Sequence, residues 1–162
     1  MDDNLNENQE LLEDDEELYT VADIMSTNVA CATPDTSLRD IAVTMRDVDC
    51  GAVPIVEDQE SLRPIGVVTD RDITIRTVAE GLNPLELTAA QVMSDNPLTV
   101  TPETDLDECL DLMEDRQVRR AIVVDENGAV CGMVAQADIA DSLPEETAEF
   151  LQDMSQPNGD LT

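Results

Sequence analysis

The sequence predicts an α+β protein built from two copies of one β-α-β-β-α unit. An internal repeat, an alternation of helical and strand periods within each copy, and an apolar content of 41% carry that prediction. Shifted by 68 positions, Asp23-Ile24-Met25 falls on Gln91-Val92-Met93, and Thr33-Pro34-Asp35-Thr36-Ser37-Leu38 falls on Thr101-Pro102-Glu103-Thr104-Asp105-Leu106. Met45, Asp47 and Val56 fall on Met113, Asp115 and Val124. Two extra residues in the first copy's loop then reduce the shift to 66, which brings Gly66-Val67-Val68 onto Gly132-Met133-Val134 and Asp72-Ile73 onto Asp138-Ile139. So many matches in order place the copies at about 21–88 and 89–143. An acidic tail, disordered or a solvated helix, is expected at 1–18, and a C-terminal helix and tail at 144–162.

Each unit opens with a short strand, near 29–32 and 97–100, followed by the Thr-Pro turn and helix-start residues. Leu38, Ile41, Ala42 and Met45 then recur at i, i+3, i+4 and i+7, and Leu106, Cys109, Leu110 and Met113 repeat that face. Short apolar runs rich in Val and Ile predict a central strand at Ala52–Val56 and at Ala121–Val124. Acidic turns lead to a second strand, Ile65–Thr69 or Val130–Ala135, and a closing helix over about 70–80 or 136–142. A unit of about 55 residues is marginal alone, so the two are expected to pack together. The methionines at 25, 45, 93, 113 and 133 keep register between the copies, which points to core packing. With only Tyr19 and Phe150 aromatic, that core must be aliphatic.

Charge narrows the function. The 162 residues carry 38 acids against 8 bases, a net charge of -30; every base is Arg, and Lys and His are absent. Such a surface repels phosphate backbones and anionic lipid, so neither nucleic acid nor membrane is an expected partner. Without His, imidazole catalysis and His-type metal sites are excluded. Acid runs through every segment, which suits adaptation to high salt, where the Debye length falls to ~3 Å at molar concentration, better than one patch for a basic partner. Nowhere do 18 apolar residues run together, and the N-terminus is acidic, so neither a membrane span nor a signal peptide is expected. Cys31, Cys50, Cys109 and Cys131 form no CxxC pair and lie in apolar surroundings. They read as reduced, buried thiols of a cytoplasmic protein. No nucleophile–base pair, Gly-rich phosphate loop or metal constellation is evident, so the chain is not expected to be an enzyme.

The residues Gly66-Val67-Val68-Thr69-Asp70-Arg71-Asp72-Ile73, with Val118-Arg119-Arg120-Ala121-Ile122-Val123-Val124-Asp125, resemble the CBS (cystathionine β-synthase) domain. Val78-Ala79-Glu80-Gly81-Leu82-Asn83-Pro84 adds likeness to small stand-alone two-repeat members from bacteria and archaea, and the charge suggests a halophilic archaeon. The resemblance covers about 21–143 and implies a Bateman module. In such a module two CBS repeats pack with pseudo-twofold symmetry, clefts between them hold adenosine compounds in many relatives, and modules commonly dimerise.

From spacing alone, Thr69-x-x-Asp72 at a strand–helix junction is a capping box, which stabilises its helix by about 1 kcal/mol. It also sets free N–H groups and an acid where an anionic, ribose-bearing ligand could bind. The resemblance makes Thr69 and Asp72 ribose contacts, Arg119 and Arg120 phosphate contacts, and Pro54 and Ile24 lining for the base. Arg119 and Arg120 could instead pair with Asp115 or Asp125, and Pro54 could be an ordinary edge-strand proline. Arg71 and Arg76 fall away from the Ile73 face, where a solvated or interface role is expected. The second copy, Ala135-Gln136-Ala137-Asp138, keeps the Asp but loses the Thr hydroxyl, so Asp138 marks a weaker second site. Two functions follow. One is a non-catalytic sensor that binds AMP, ADP, ATP or S-adenosylmethionine and modulates an unknown protein partner, with no required cofactor. The other is a ligand-free structural or interaction protein acting through homodimerisation.

Overall fold

The computed structural model describes residues 19–142, so the expected acidic tail and C-terminal helix lie outside the described residues. The first unit comprises α1 (Val21–Ile24), α2 (Leu38–Val48), β1 (Ala52–Val56), β2 (Pro64–Thr69) and α3 (Asp70–Ile73), which runs on as a wider helical turn over Thr74–Val78. A single 3-10 turn at Pro84–Glu86 leads into the second unit. That unit comprises α4 (Ala89–Val92), β3 (Ser94–Asp95), β4 (Thr99–Val100), α5 (Leu106–Arg116), β5 (Arg120–Val124), β6 (Val130–Ala135) and α6 (Gln136–Ser142). Helices and two small sheets make an α+β fold.

The two units keep the same register. β1 pairs antiparallel with β2 from Ala52↔Thr69 to Ile55↔Gly66, and β5 pairs with β6 from Arg120↔Ala135 to Val123↔Gly132. Both ladders slip at the same place, before Val56 and before Val124. Ser37 caps α2 by accepting from the Asp40 N–H at 3.1 Å, and left-handed residues end both long helices, Asp49 in the first unit and Gln117 in the second.

The sheets are completed by exchange. β3, at the start of the second unit, pairs with β2 of the first, and Ser26, at the start of the first, bridges to Met133 of β6. The cores follow suit. Val21, Ile24 and Met25 pack with Leu106, Cys109, Met113, Val134 and Ile139. Ala89, Val92 and Met93 pack with Leu38, Ile41, Val53, Ile55 and Val68. The Thr-Pro turns receive the crossing helices: Val21 and Ala22 donate to the carbonyls of Thr104 and Pro102, and Ala89 and Ala90 donate to those of Thr36 and Pro34, all at 2.9 Å. A helix of four residues leaves its N-terminal donors unpartnered, and the other unit's turn supplies the acceptors. This reciprocity is what an approximate twofold generates, and a third cluster around Val56, Ile122 and Val130 joins the two sheets. Repeat boundaries in sequence and cores in space therefore do not coincide.

Glycine makes the crossings possible. A β-carbon at Gly66 would stand 2.8 Å from Met93 Sδ and 3.0 Å from the Ser94 carbonyl oxygen. At Gly132 the same clash would arise with Met25 Sδ and the Ser26 carbonyl, both at 2.9 Å.

Four expectations change. The strand expected near 29–32 shrinks to a single parallel bridge, Ala32↔Ile55, whereas its counterpart forms as β4. Ala42 is exposed, so α2 buries Leu38 and Ile41 with Met45 at their margin. The helix expected over 70–80 widens after Ile73, where the buried Thr77 hydroxyl donates to the Ile73 carbonyl, a back-bond that bends helices. Of the four free cysteines only Cys109 is fully buried; Cys31, Cys50 and Cys131 are half-buried. Burial pushes the Cys109 thiol up to about 11, with the neighbouring Glu108 charge adding to it, and burial also raises Cys31 and Cys131. Among the described residues no helix is long and apolar enough to cross a membrane.

Candidate functional site

Thr69 ends β2 in an extended conformation and caps α3. Its Oγ1 accepts from the Asp72 N–H at 3.0 Å, and Asp72 Oδ2 accepts from the Thr69 N–H at 2.9 Å. The capping box read from the sequence is therefore formed. It fixes one carboxylate oxygen and leaves Oδ1 facing the crossing chain. There Ser94 Oγ donates to Oδ1 at 3.3 Å, and Arg76 Nε stands 3.8 Å from it.

Of the two roles expected of Arg76, solvated or at an interface, the contacts fit the second. Arg76 Nη1 donates to the carbonyls of Val92 at 3.1 Å and Met93 at 2.9 Å, and Nη2 to Ser94 Oγ at 3.4 Å. The cue in the sequence was only that Arg76 stands one helical turn past Asp72. Its other partners lie 16 to 18 residues on, beyond any local pattern.

Arg120 reaches the same neighbourhood from the second unit. A β-carbon at Gly51 would lie 2.9 Å from Arg120 Nη2 and 3.2 Å from Asp70 Oδ2, so the missing side chain at Gly51 makes room for this guanidinium. The Asp70 N–H donates to the Gly51 carbonyl at 3.0 Å, which holds that carbonyl against the start of α3. Among the described residues neither Arg119 nor Arg120 forms an ion pair, with Asp115, Asp125 or any other acid. Arg119 is exposed and Arg120 half-buried. By register Gly51 and Ala52 occupy the positions of Arg119 and Arg120, so the pair of arginines belongs to one unit alone.

The remaining candidates divide. Pro54 is buried at the centre of β1, and its carbonyl accepts from the Ala32 N–H at 3.0 Å. Ile24 packs against the second unit's core, with Val134 and Ile139, on the side of Asp138 rather than of Thr69 and Asp72. Asp138 is exposed on α6, and no side-chain hydrogen bond ties it to Ser26, the register counterpart of Ser94. The structure thus gathers Thr69, Asp72 and Arg120 around the N-terminus of α3, and sets Ile24 and Asp138 apart. Ser94 and Arg76 join the first group; the sequence gives no signal for Ser94 and only the helical spacing for Arg76. No group of three Cys, Asp or Glu side chains among the described residues is placed to hold a metal ion.

Known proteins give the family. The CBS domain family matches residues 21–76 and 89–145. Hypoxic response protein 1 of Mycobacterium tuberculosis is 39% identical over 141 residues, covering 86% of this chain and 96% of the relative. CBS domain-containing protein YhcV of Bacillus subtilis is 37% identical over 123 residues, covering 76% and 84%. Among solved structures, Hypoxic Response Protein I with two coordinated zinc ions shares 38% identity at a TM-score of 0.66, covering 77% of this chain and 99% of that one. The CBS domain pair of protein MJ0100, in complex with 5'-methylthioadenosine and S-adenosyl-L-methionine, superposes at a TM-score of 0.67 with 24% identity, covering 75% and 93%. These relatives do not bear out a halophilic source. Two units in register, exchanged N-terminal segments and a family match over both repeats lead to one conclusion: the chain belongs to the CBS domain family, as a tandem pair.

Proposed function

We propose that this CBS pair is a non-catalytic regulatory module that binds an adenosine-containing ligand, AMP, ADP, ATP or S-adenosylmethionine, beside α3 and modulates a protein partner. One observation carries the reading. Among the described residues Arg120 of the second unit stands without an ion-pair partner, against Gly51 and Asp70 of the first and next to the Thr69–Asp72 box, in a chain of net charge -30. An arginine that pairs with no described acid suits a phosphate or another anionic group. The box beside it suits the two hydroxyls of a ribose. Arg119 extends the positive edge, Pro54 lines the base, and Asp138, without a Thr partner, marks the weaker site. The ligands of the MJ0100 pair support the chemical class. The setting we propose is the cytoplasm at high salt, as a homodimer joined through the exposed apolar strip of Ile75, Val78, Leu82 and Leu85.

Thermal denaturation with each of the four compounds at high salt tests the reading. Saturating ligand at a hundredfold excess over Kd adds ~2.7 kcal/mol to native stability, so the right compound raises Tm by several degrees. Asp72→Ala is expected to abolish the rise. If none of the four moves Tm, a second reading stands: a ligand-free interaction module acting through its dimer. It has its own support, since Ser94 and Arg76 already engage the Asp72 oxygen that a ribose would need.

A further inference from the structure

We propose that Arg76 is a positioning residue: it ties the Asp72 carboxylate to the crossing segment Val92–Ser94, so that a ligand drawing on Asp72 is felt where the second unit's chain enters the first unit's sheet. Three observations carry this. Arg76 spans the gap, holding the carbonyls of Val92 and Met93 and the Ser94 hydroxyl while its Nε faces Asp72 Oδ1. Ser94 closes the ring by donating to that same oxygen. The residues it grips are those that leave α4 and begin β3, where Ser94 pairs with Val67 and Asp95 with Gly66.

The second unit supplies an internal comparison. Asp138 and Ser26 repeat Asp72 and Ser94, but the position of Arg76 is Ser142, whose hydroxyl donates to its own helix at Ile139. Only the unit with the complete capping box has the strut. Chemically, a planar guanidinium can serve two carbonyls, a hydroxyl and a carboxylate at once because it presents five donors in a fixed fork; an ammonium has only three, all at one point. Asp72 Oδ2 is held by the Thr69 N–H, and a sugar hydroxyl that approaches Oδ1 meets the Ser94 hydroxyl already there. When Ser94 Oγ is displaced from Oδ1, the remaining side-chain tie of Ser94 is Arg76, and the change in Asp72 is passed to the crossing chain.

Amide hydrogen exchange of the full chain at Ser94 and Asp95 tests the strut without ligand. Asp72→Asn keeps the shape but removes the charge, and should speed exchange there by about two- to fivefold, the scale of an ion pair at a surface. In an Arg76→Ala or Arg76→Lys background the same change should have no further effect. An equal effect of Asp72→Asn in all backgrounds would overturn the strut. The regulatory half rests on the ligand reading above and is tested with S-adenosylmethionine and then with AMP, ADP and ATP. A compound that binds should alter exchange at Ser94–Asp95 in the unchanged chain but not in Arg76→Ala, each chain being saturated as its own titration shows; an Arg76→Ala chain that no longer binds would place Arg76 in the ligand site itself and overturn the coupling. The same alteration in both chains would overturn the coupling. Binding by none of the four would overturn the ligand reading and the coupling, while the ligand-free result decides the strut separately.

Discussion

At the scale of single residues, glycine and arginine do the work that the composition left to few candidates. Gly66 and Gly132 mark places where another backbone passes within about 3 Å of a would-be β-carbon. Gly66→Ala should therefore cost ~1–3 kcal/mol, as overpacking does, because the Met93 sulfur can swing aside but the Ser94 carbonyl belongs to a paired strand. Urea unfolding checks this, and an unchanged midpoint would mean that the crossing chain gives way freely. Legibility differed sharply between residues. Thr69 and Asp72 were readable because a capping box is local, its two hydrogen bonds spanning three residues. Gly66 was visible as a repeated position, yet its reason lies at Met93 and Ser94. The grip of Arg76 is not legible in the sequence, because its acceptors are contributed by the next repeat and no period reaches that far.

At the scale of elements, one imino acid accounts for the inequality of the two sheets. In the second unit Ile122 N–H donates to the Leu98 carbonyl at 2.8 Å, and β4 forms alongside. The position is Pro54 in the first unit, where no donor exists, and the partner strand collapses to the bridge at Ala32. Ile122→Pro is expected to cost about 3 kcal/mol or more and to loosen β4. Equilibrium denaturation with exchange at the Val100 and Ile122 neighbourhood reads both effects, and a variant as stable as the parent would refute the assignment. Helices α2 and α5 were legible from their apolar period. The short helices α1 and α4 were not, because four residues carry no period and their stability comes from acceptors in the opposite turn.

At the scale of the whole molecule, the chain carries 38 acids, and no aromatic side chain is buried in the core among the described residues. Only two ion pairs form among the described residues, Arg46–Asp47 and Arg76–Asp72, so most of the negative charge goes uncompensated. Self-repulsion then opposes folding in dilute buffer, and salt relieves it. Tm should rise substantially from 0.1 M to 3 M KCl, and a flat profile would refute the salt reading. The charge was fully legible in the sequence, whereas the exchange of segments between cores was not, since a repeat comparison aligns copies without saying which copy completes which. That exchange imposes an order on biosynthesis. When residue 88 leaves the ribosome, the first unit still lacks Ala89, Val92 and Met93, and its own α1 has no turn to dock on, because Pro102 and Thr104 are not yet made. The nascent chain must hold its first segment in waiting until β6 and Ile139 emerge, so the earliest residues of the first unit are among the last to find their place.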